Sequence, residues 1–205
     1  MSPARATTRR PAEITKASYA PLAVLALAQI GTSSDSAAMN LATASLVGTL
    51  GATLDDIQMA TTLFSLIAGA FMIAGGLVGV TIGLHRALAM GLSLAVAGEM
   101  VAALSPNIFA FTWGGRVIMG LGACLITPSV LGLVAALYQG RQRAIAFGTI
   151  AGAAALSTLS PLALGIVMDS SGFRLTFAIM AIYFVLVLCC TRLVPRTPLS
   201  GNHSR

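Results

Sequence analysis

The 205-residue chain is 57% hydrophobic and only 9% charged, with a mean hydropathy of +0.90. Such a chain cannot cover itself with a water-facing surface, which excludes a soluble domain and predicts an all-α integral membrane protein. The net charge of +6 does not point to nucleic acid, because the Lys and Arg residues stand at the ends of apolar runs without interleaved aromatics.

Residues 1–18 carry Arg5, Arg9, Arg10 and Lys16 with no periodic apolar face, and read as a basic tail. Residues 19–43 form the first predicted span, apolar except for a small, polar centre around Asp35. A competing reading is a secretory leader, with cleavage near Ser36-Ala37-Ala38. At ~1.5 Å per residue, however, the run is long enough for a ~30 Å hydrocarbon core and can hold one buried acid. Residues 48–56 are predicted as a loop whose Thr53-Leu54-Asp55-Asp56 supplies helix-capping material.

The second span is predicted over 57–82, a loop over 83–86, and a third span over 87–104 with Glu99 inside it. Ser105-Pro106-Asn107 turns the chain into a fourth span over 107–137, with Arg116 among apolar and small residues. A polar loop follows over 138–143, then a fifth span over 144–168, a turn over 169–172 and a sixth span over 175–190. Residues 191–205 read as a second polar tail. Trp113 reads as an interfacial anchor, and the glycines of spans two, four and five as sites of close helix contact.

Basic residues divide unevenly between alternate loops. Both tails and the loops after spans two and four hold ten, including Arg86, Arg141, Arg143 and Arg192, whereas the other loops hold only Arg174. Both termini are therefore expected in the cytoplasm of a multi-pass cell-membrane protein. With that orientation Asp35 lies ~22 Å from the inner end of its span, Glu99 ~18 Å from the inner end of its own, and Arg116 ~14 Å from the outer end. A buried arginine costs at least ~2.5–3.5 kcal/mol, so Arg116 is expected to face an acid or a wet cavity, and one acid at that depth can exchange a proton. The alternative is a static ion pair that only holds helices together.

Cys124, Cys189 and Cys190 lie in apolar runs without metal-ligand spacing, and His85 and His203 have no companions. No metal or other cofactor is predicted. With no nucleophile–base pair or phosphate loop either, an enzyme is disfavoured.

These residues resemble a family. Six spans with cytoplasmic ends, and R-V-I-M-G-L-G-A over 116–123, resemble one six-span half, the N-terminal one, of a major facilitator superfamily transporter of the fourteen-span drug:proton antiporter type. Its first-span pattern is matched by Asp35, Asn40 and Ala42, and its fourth-span pattern by Arg116, Gly120, Gly122, Ala123 and Pro128. The resemblance implies Asp35 as proton or cation site, Arg116 as its charge partner or a substrate contact, and Asn40 and Glu99 as further polar groups of the site.

In the latch loop after span two, Gly76 and Gly83 match, but Val80 replaces the family's acid, and Thr81 and Leu84 replace two basic residues. His85 and Arg86 leave the positive charge there. In span five Pro161 and Gly165 match, while Leu156, Ser160 and Leu164 occupy three glycine positions. The implied partners are the lipid bilayer, a small-molecule substrate, protons, and a second six-span half or a homodimeric copy, with no nucleic acid. Proton-coupled efflux of lipophilic compounds is the implied activity. The alternative is a non-transporting remnant or assembly partner.

Overall fold

The structure, a computed structural model, describes residues 19–194, without side-chain detail for 161–171. The tails at 1–18 and 195–205 lie outside the described residues. Among those described there is no strand, and the helices are α1 (Tyr19–Leu50), α2 (Leu54–Ala70), α3 (Met72–Ile82), α4 (Leu84–Leu104), α5 (Val117–Leu137), α6 (Gly140–Leu156) and α7 (Ser160–Cys190).

Leu84–Leu104, Ala110–Leu137 and Gly172–Leu193 are each long and apolar enough to cross a membrane. The second predicted span is two helices, α2 and α3, bent by 47° at Phe71, and together they make a fourth such stretch. α1 has the length, at 32 residues, but its polar centre keeps it below that apolarity. α6 is 17 residues long and ends in a 3₁₀ turn, Ser157–Leu159, that leads into α7.

The connections are shorter than the sequence suggests. α1 runs on to Leu50, only Gly83 separates α3 from α4, and α6 already starts at Gly140. The predicted turn over 169–172 narrows to Gly172, whose φ of 74° and ψ of 178° break α7. Continuing each helix satisfies backbone groups that a loop near lipid would leave exposed. Gly83 and Gly172 sit at positive φ, where a side chain would be strained. The Thr53 cap is as the sequence suggests: Asp56 N–H donates to Thr53 Oγ1 at 3.2 Å, and Thr53 N–H donates to Asp56 Oδ2 at 2.9 Å.

α5 packs against α1, α2, α3, α4 and α6, and α4 packs most extensively on α5, then on α7. Small residues set the α4–α5 distance. A Cβ at Gly122 would lie 2.8 Å from the carbonyl oxygen of Gly91 and 2.9 Å from Ala95 N, and one at Gly98 would lie 2.7 Å from Met119 N. Gly91, Ala95, Gly98 and Ala102 thus make one face of α4, at spacings of four, three and four, on which the other backbone rests.

Pro128 has no N–H for the carbonyl of Cys124, four residues back in α5. Gly75 of α3 packs onto that carbonyl so closely that a Cβ would collide with it. Gly75 and Gly79 are the buried contact residues of α3. Gly76, the motif residue, only touches Pro128, at 3.7 Å from the position of a Cβ. At one end of the bundle Phe111, Phe173 and Phe177 are fully buried and meet edge to face, the closest pair at 5.3 Å between ring centres. There Ser45 Oγ accepts from Phe173 N–H at 3.1 Å, and Arg174 donates to the Ser105 carbonyl at 3.0 Å. At the other end His85 Nε2 lies 3.0 Å from the carbonyl of Thr191, which begins a 3₁₀ turn where a tail was expected.

Candidate functional site

Arg116 closes a seven-residue π-helical segment, Ala110–Arg116, that leads into α5. The fourth span is therefore not a uniform α-helix. A π-helical turn widens the helix and re-aims the side chains at its end, and such segments concentrate at functional sites. Gly114 and Gly115 let the widened turn lie on α4: Cβ atoms there would fall 2.7 Å from Val101 Cγ1 and 2.8 Å from Ala102 Cβ.

The arginine points inward and meets Asp35 of α1 in a two-pronged pair. Nη1 donates to Oδ1 at 2.7 Å and Nη2 to Oδ2 at 3.0 Å, with Arg116 and Asp35 only 1% and 0% exposed. Parallel N–H···O bonds between a planar guanidinium and a carboxylate are the strong form of this contact. The polar centre of α1, which lowers its hydropathy, is what brings an acid to this depth.

Phe64 of α2 covers the guanidinium, with the Arg116 Cζ 4.6 Å from the ring centre. Gly120, one turn after Arg116 and on the same side of the helix, makes this possible. A Cβ there would stand 3.2 Å from the Phe64 carbonyl oxygen and from Ile67. The Arg116-x-x-x-Gly120 spacing thus brings α2 against α5 where its aromatic ring covers the charge.

Glu99 of α4 is 1% exposed and close enough for the charges of Asp35 and Arg116 to act on it. The approach at Gly98 and Gly115 brings it there. No N–H or hydroxyl donates to its carboxyl oxygens, but its carboxyl lies within hydrogen-bonding reach of that of Asp35, so the two can share a proton; Arg116 Nε and Thr112 Oγ1 are buried without a partner. The centre therefore holds two acids and one guanidinium, with one acid paired and spare donor and acceptor capacity beside it.

Asn40 is not brought to the pair. It lies five residues beyond Asp35, on the exposed side of α1. Arg86 is exposed in the first turn of α4. Pro161 and Gly165 fall in the part of α7 whose side chains lie outside the described residues. Pro128 and Gly122 serve helix contacts and do not touch the charged centre. Among the described residues no cluster of His, Cys, Asp and Glu has the geometry of a metal site.

The family model of the Major Facilitator Superfamily matches residues 25–205. The chain belongs to the Major Facilitator Superfamily. Among relatives in this superfamily, the Methylenomycin A resistance protein of Bacillus subtilis (strain 168) is 31% identical over 187 residues, covering 90% of this chain and 40% of the relative. The Methyl viologen resistance protein SmvA of Salmonella typhimurium (strain LT2) is 27% identical over 178 residues, covering 85% and 36%. The chain thus spans about two fifths or less of the curated relatives it matches.

Among solved structures, the peptide transporter POT in complex with sulfate superposes with a TM-score of 0.76 at 21% identity, over 84% of this chain and 37% of that one. At that identity the likeness establishes the fold. The described helices form one part of a major facilitator fold, in a multi-pass membrane protein.

Proposed function

We propose that the chain forms one six-span half of a transporter that exports small lipophilic molecules in exchange for protons, with both termini in the cytoplasm. The observation that carries this reading is the buried Arg116–Asp35 pair with the unpaired acid Glu99 beside it. An unpaired carboxylate is expensive in such a place, so two acids around one guanidinium balance when one of them holds a proton or reaches water. Substrate or a change of state that pulls Arg116 from one acid to the other would shift which acid is neutral, and this coupling can tie a proton to a cargo. Asn40, on the exposed side of α1, is the polar group available to a cargo beside the centre.

The resistance proteins to which the chain is similar support drug efflux as the activity. A second half, or a second copy, would cover faces that stand open: nothing lies within 4 Å of a Cβ at Gly69, Gly148 or Gly152. Transporters of this architecture hold their cargo near the midplane between two such halves. The neutral residues Val80, Thr81 and Leu84 in the latch region favour one other reading, an assembly partner that does not itself transport.

Reconstituted proteoliposomes separate the two. Gradient-driven efflux that is lost in Asp35→Asn and Arg116→Ala, while both variants still insert and crosslink as wild type does, supports the transporter. Wild-type activity no better than that of empty vesicles supports the assembly partner.

A further inference from the structure

Two arginines are brought together at the end of the bundle where His85 meets the Thr191 carbonyl. A carbonyl only accepts, so His85 Nε2 carries the hydrogen across the 3.0 Å contact, and the same oxygen also takes Val194 N–H at 2.9 Å. The contact ties the first turn of α4 to the turn that closes α7. Arg86 and Arg192 each follow directly after one of its two residues, and both are exposed.

Like charges held close repel unless an anion lies between them. No acid of the described residues supplies one. Asp55 and Asp56 open α2 at the opposite end of the bundle, Asp35 and Glu99 lie in its centre, and Asp169 stands just before the Gly172 break, also at the opposite end. Both arginines, moreover, end an apolar face. On α4, Met90, Met100 and Leu104 are exposed on the same side of the helix as Arg86, and on α7 Ile182 and Val185 are exposed on the side that leads to Arg192. α4 and α7 pack side by side. An amphiphile with an anionic head and long tails matches this order of groups, whereas a soluble anion would use the head position alone.

We propose that Arg86 and Arg192 clamp the phosphate of one anionic phospholipid, whose acyl chains lie along the exposed faces of α4 and α7. The planar fork of a guanidinium matches two phosphate oxygens, which makes arginine better suited than lysine to this contact. With the termini in the cytoplasm this lipid belongs to the inner leaflet, where anionic lipids set the surface potential. The clamp stands apart from Asp35, Glu99 and Arg116 and does not depend on the transport reading.

The test is native mass spectrometry of the purified chain released from detergent micelles and titrated with dioleoylphosphatidylglycerol. Dioleoylphosphatidylcholine, with the same chains and no net charge, serves as the comparison. The first phosphatidylglycerol should bind about twentyfold more tightly than phosphatidylcholine. Arg86→Gln and Arg192→Gln should each remove about fivefold of that preference, and the double variant all of it. Arg141→Gln/Arg143→Gln should leave it intact, because those exposed arginines stand on α6, where the Arg143 guanidinium carbon lies 5.7 Å from the centre of the Phe147 ring. Inorganic phosphate at the lipid's concentration should not displace the lipid.

Equal affinity of the wild-type chain for the two lipids would overturn the proposal, and this comparison needs no substitution. So would a full preference retained in Arg86→Gln/Arg192→Gln. An equal loss in Arg141→Gln/Arg143→Gln would also overturn it, since the lipid would then be drawn by diffuse positive charge and not by a clamp. Displacement by inorganic phosphate would reveal a site for the head alone and remove the lipid.

Discussion

Glu99 changes what loss of Asp35 should cost. Removing one partner of a buried ion pair usually costs about 3–5 kcal/mol, because the other charge is left buried alone. Here Arg116 keeps a free Nε and has an unpaired acid beside it. Asp35→Asn should therefore cost only about 1–2 kcal/mol, less than the usual range for breaking such a pair because Glu99 takes over as counter-charge. Glu99→Gln, which removes an acid to which no N–H or hydroxyl donates, should fall within about 1 kcal/mol of wild type. The double variant strands the guanidinium with no acid and should carry the full cost of about 3–5 kcal/mol.

The expected coupling is thus about 2 kcal/mol beyond the sum of the single effects, well above the few tenths at which distant sites add. Equilibrium unfolding in mixed micelles, with the four proteins at one pH, measures it. A double variant whose loss equals the sum of the singles would refute the idea that the two acids share one arginine.

Further expectations follow from the contacts around that centre. Phe64→Leu removes the ring over Arg116 and should lower stability by about 1–2 kcal/mol in the same unfolding assay. Gly122→Val places its Cβ against the α4 backbone and should cost roughly 3 kcal/mol or abolish folding, whereas Gly148→Ala, with open space around it, should be neutral or up to about 1 kcal/mol stabilising in the isolated chain; thermal melting of the two distinguishes a packed glycine from an open one. Gly172→Ala forces a side chain into a region nearly reserved for glycine and should cost about 1–3 kcal/mol, with a lowered melting temperature as the readout.

The sequence makes the charged centre legible for a physical reason. In a chain with so few ionisable groups, each one buried in an apolar span needs an answer, and helix rise alone places Asp35, Glu99 and Arg116 at compatible depths. The Thr53 cap is legible because its side-chain chemistry is local. The π-helical segment before Arg116 is not, since Gly114-Gly115 is its only trace and a glycine pair fits any close contact. The motif glycine Gly76 drew attention while Gly75 and Gly79 make the packing, because a sequence pattern does not show which of three glycines faces the neighbouring backbone. Gly91 and Gly98 were equally visible at helical spacing, and counting small residues along one face of α4 would have found them.

The account turns on a proton that moves when cargo binds. The direct measurement is proton release on addition of ethidium, a planar lipophilic cation, to the purified chain in weakly buffered nanodiscs, followed with a pH-sensitive dye. A release in wild type that disappears in the Asp35→Asn/Glu99→Gln double variant, together with a changed ethidium affinity, is the predicted result. The same release from both proteins would contradict the claim that these two acids and Arg116 carry the coupling.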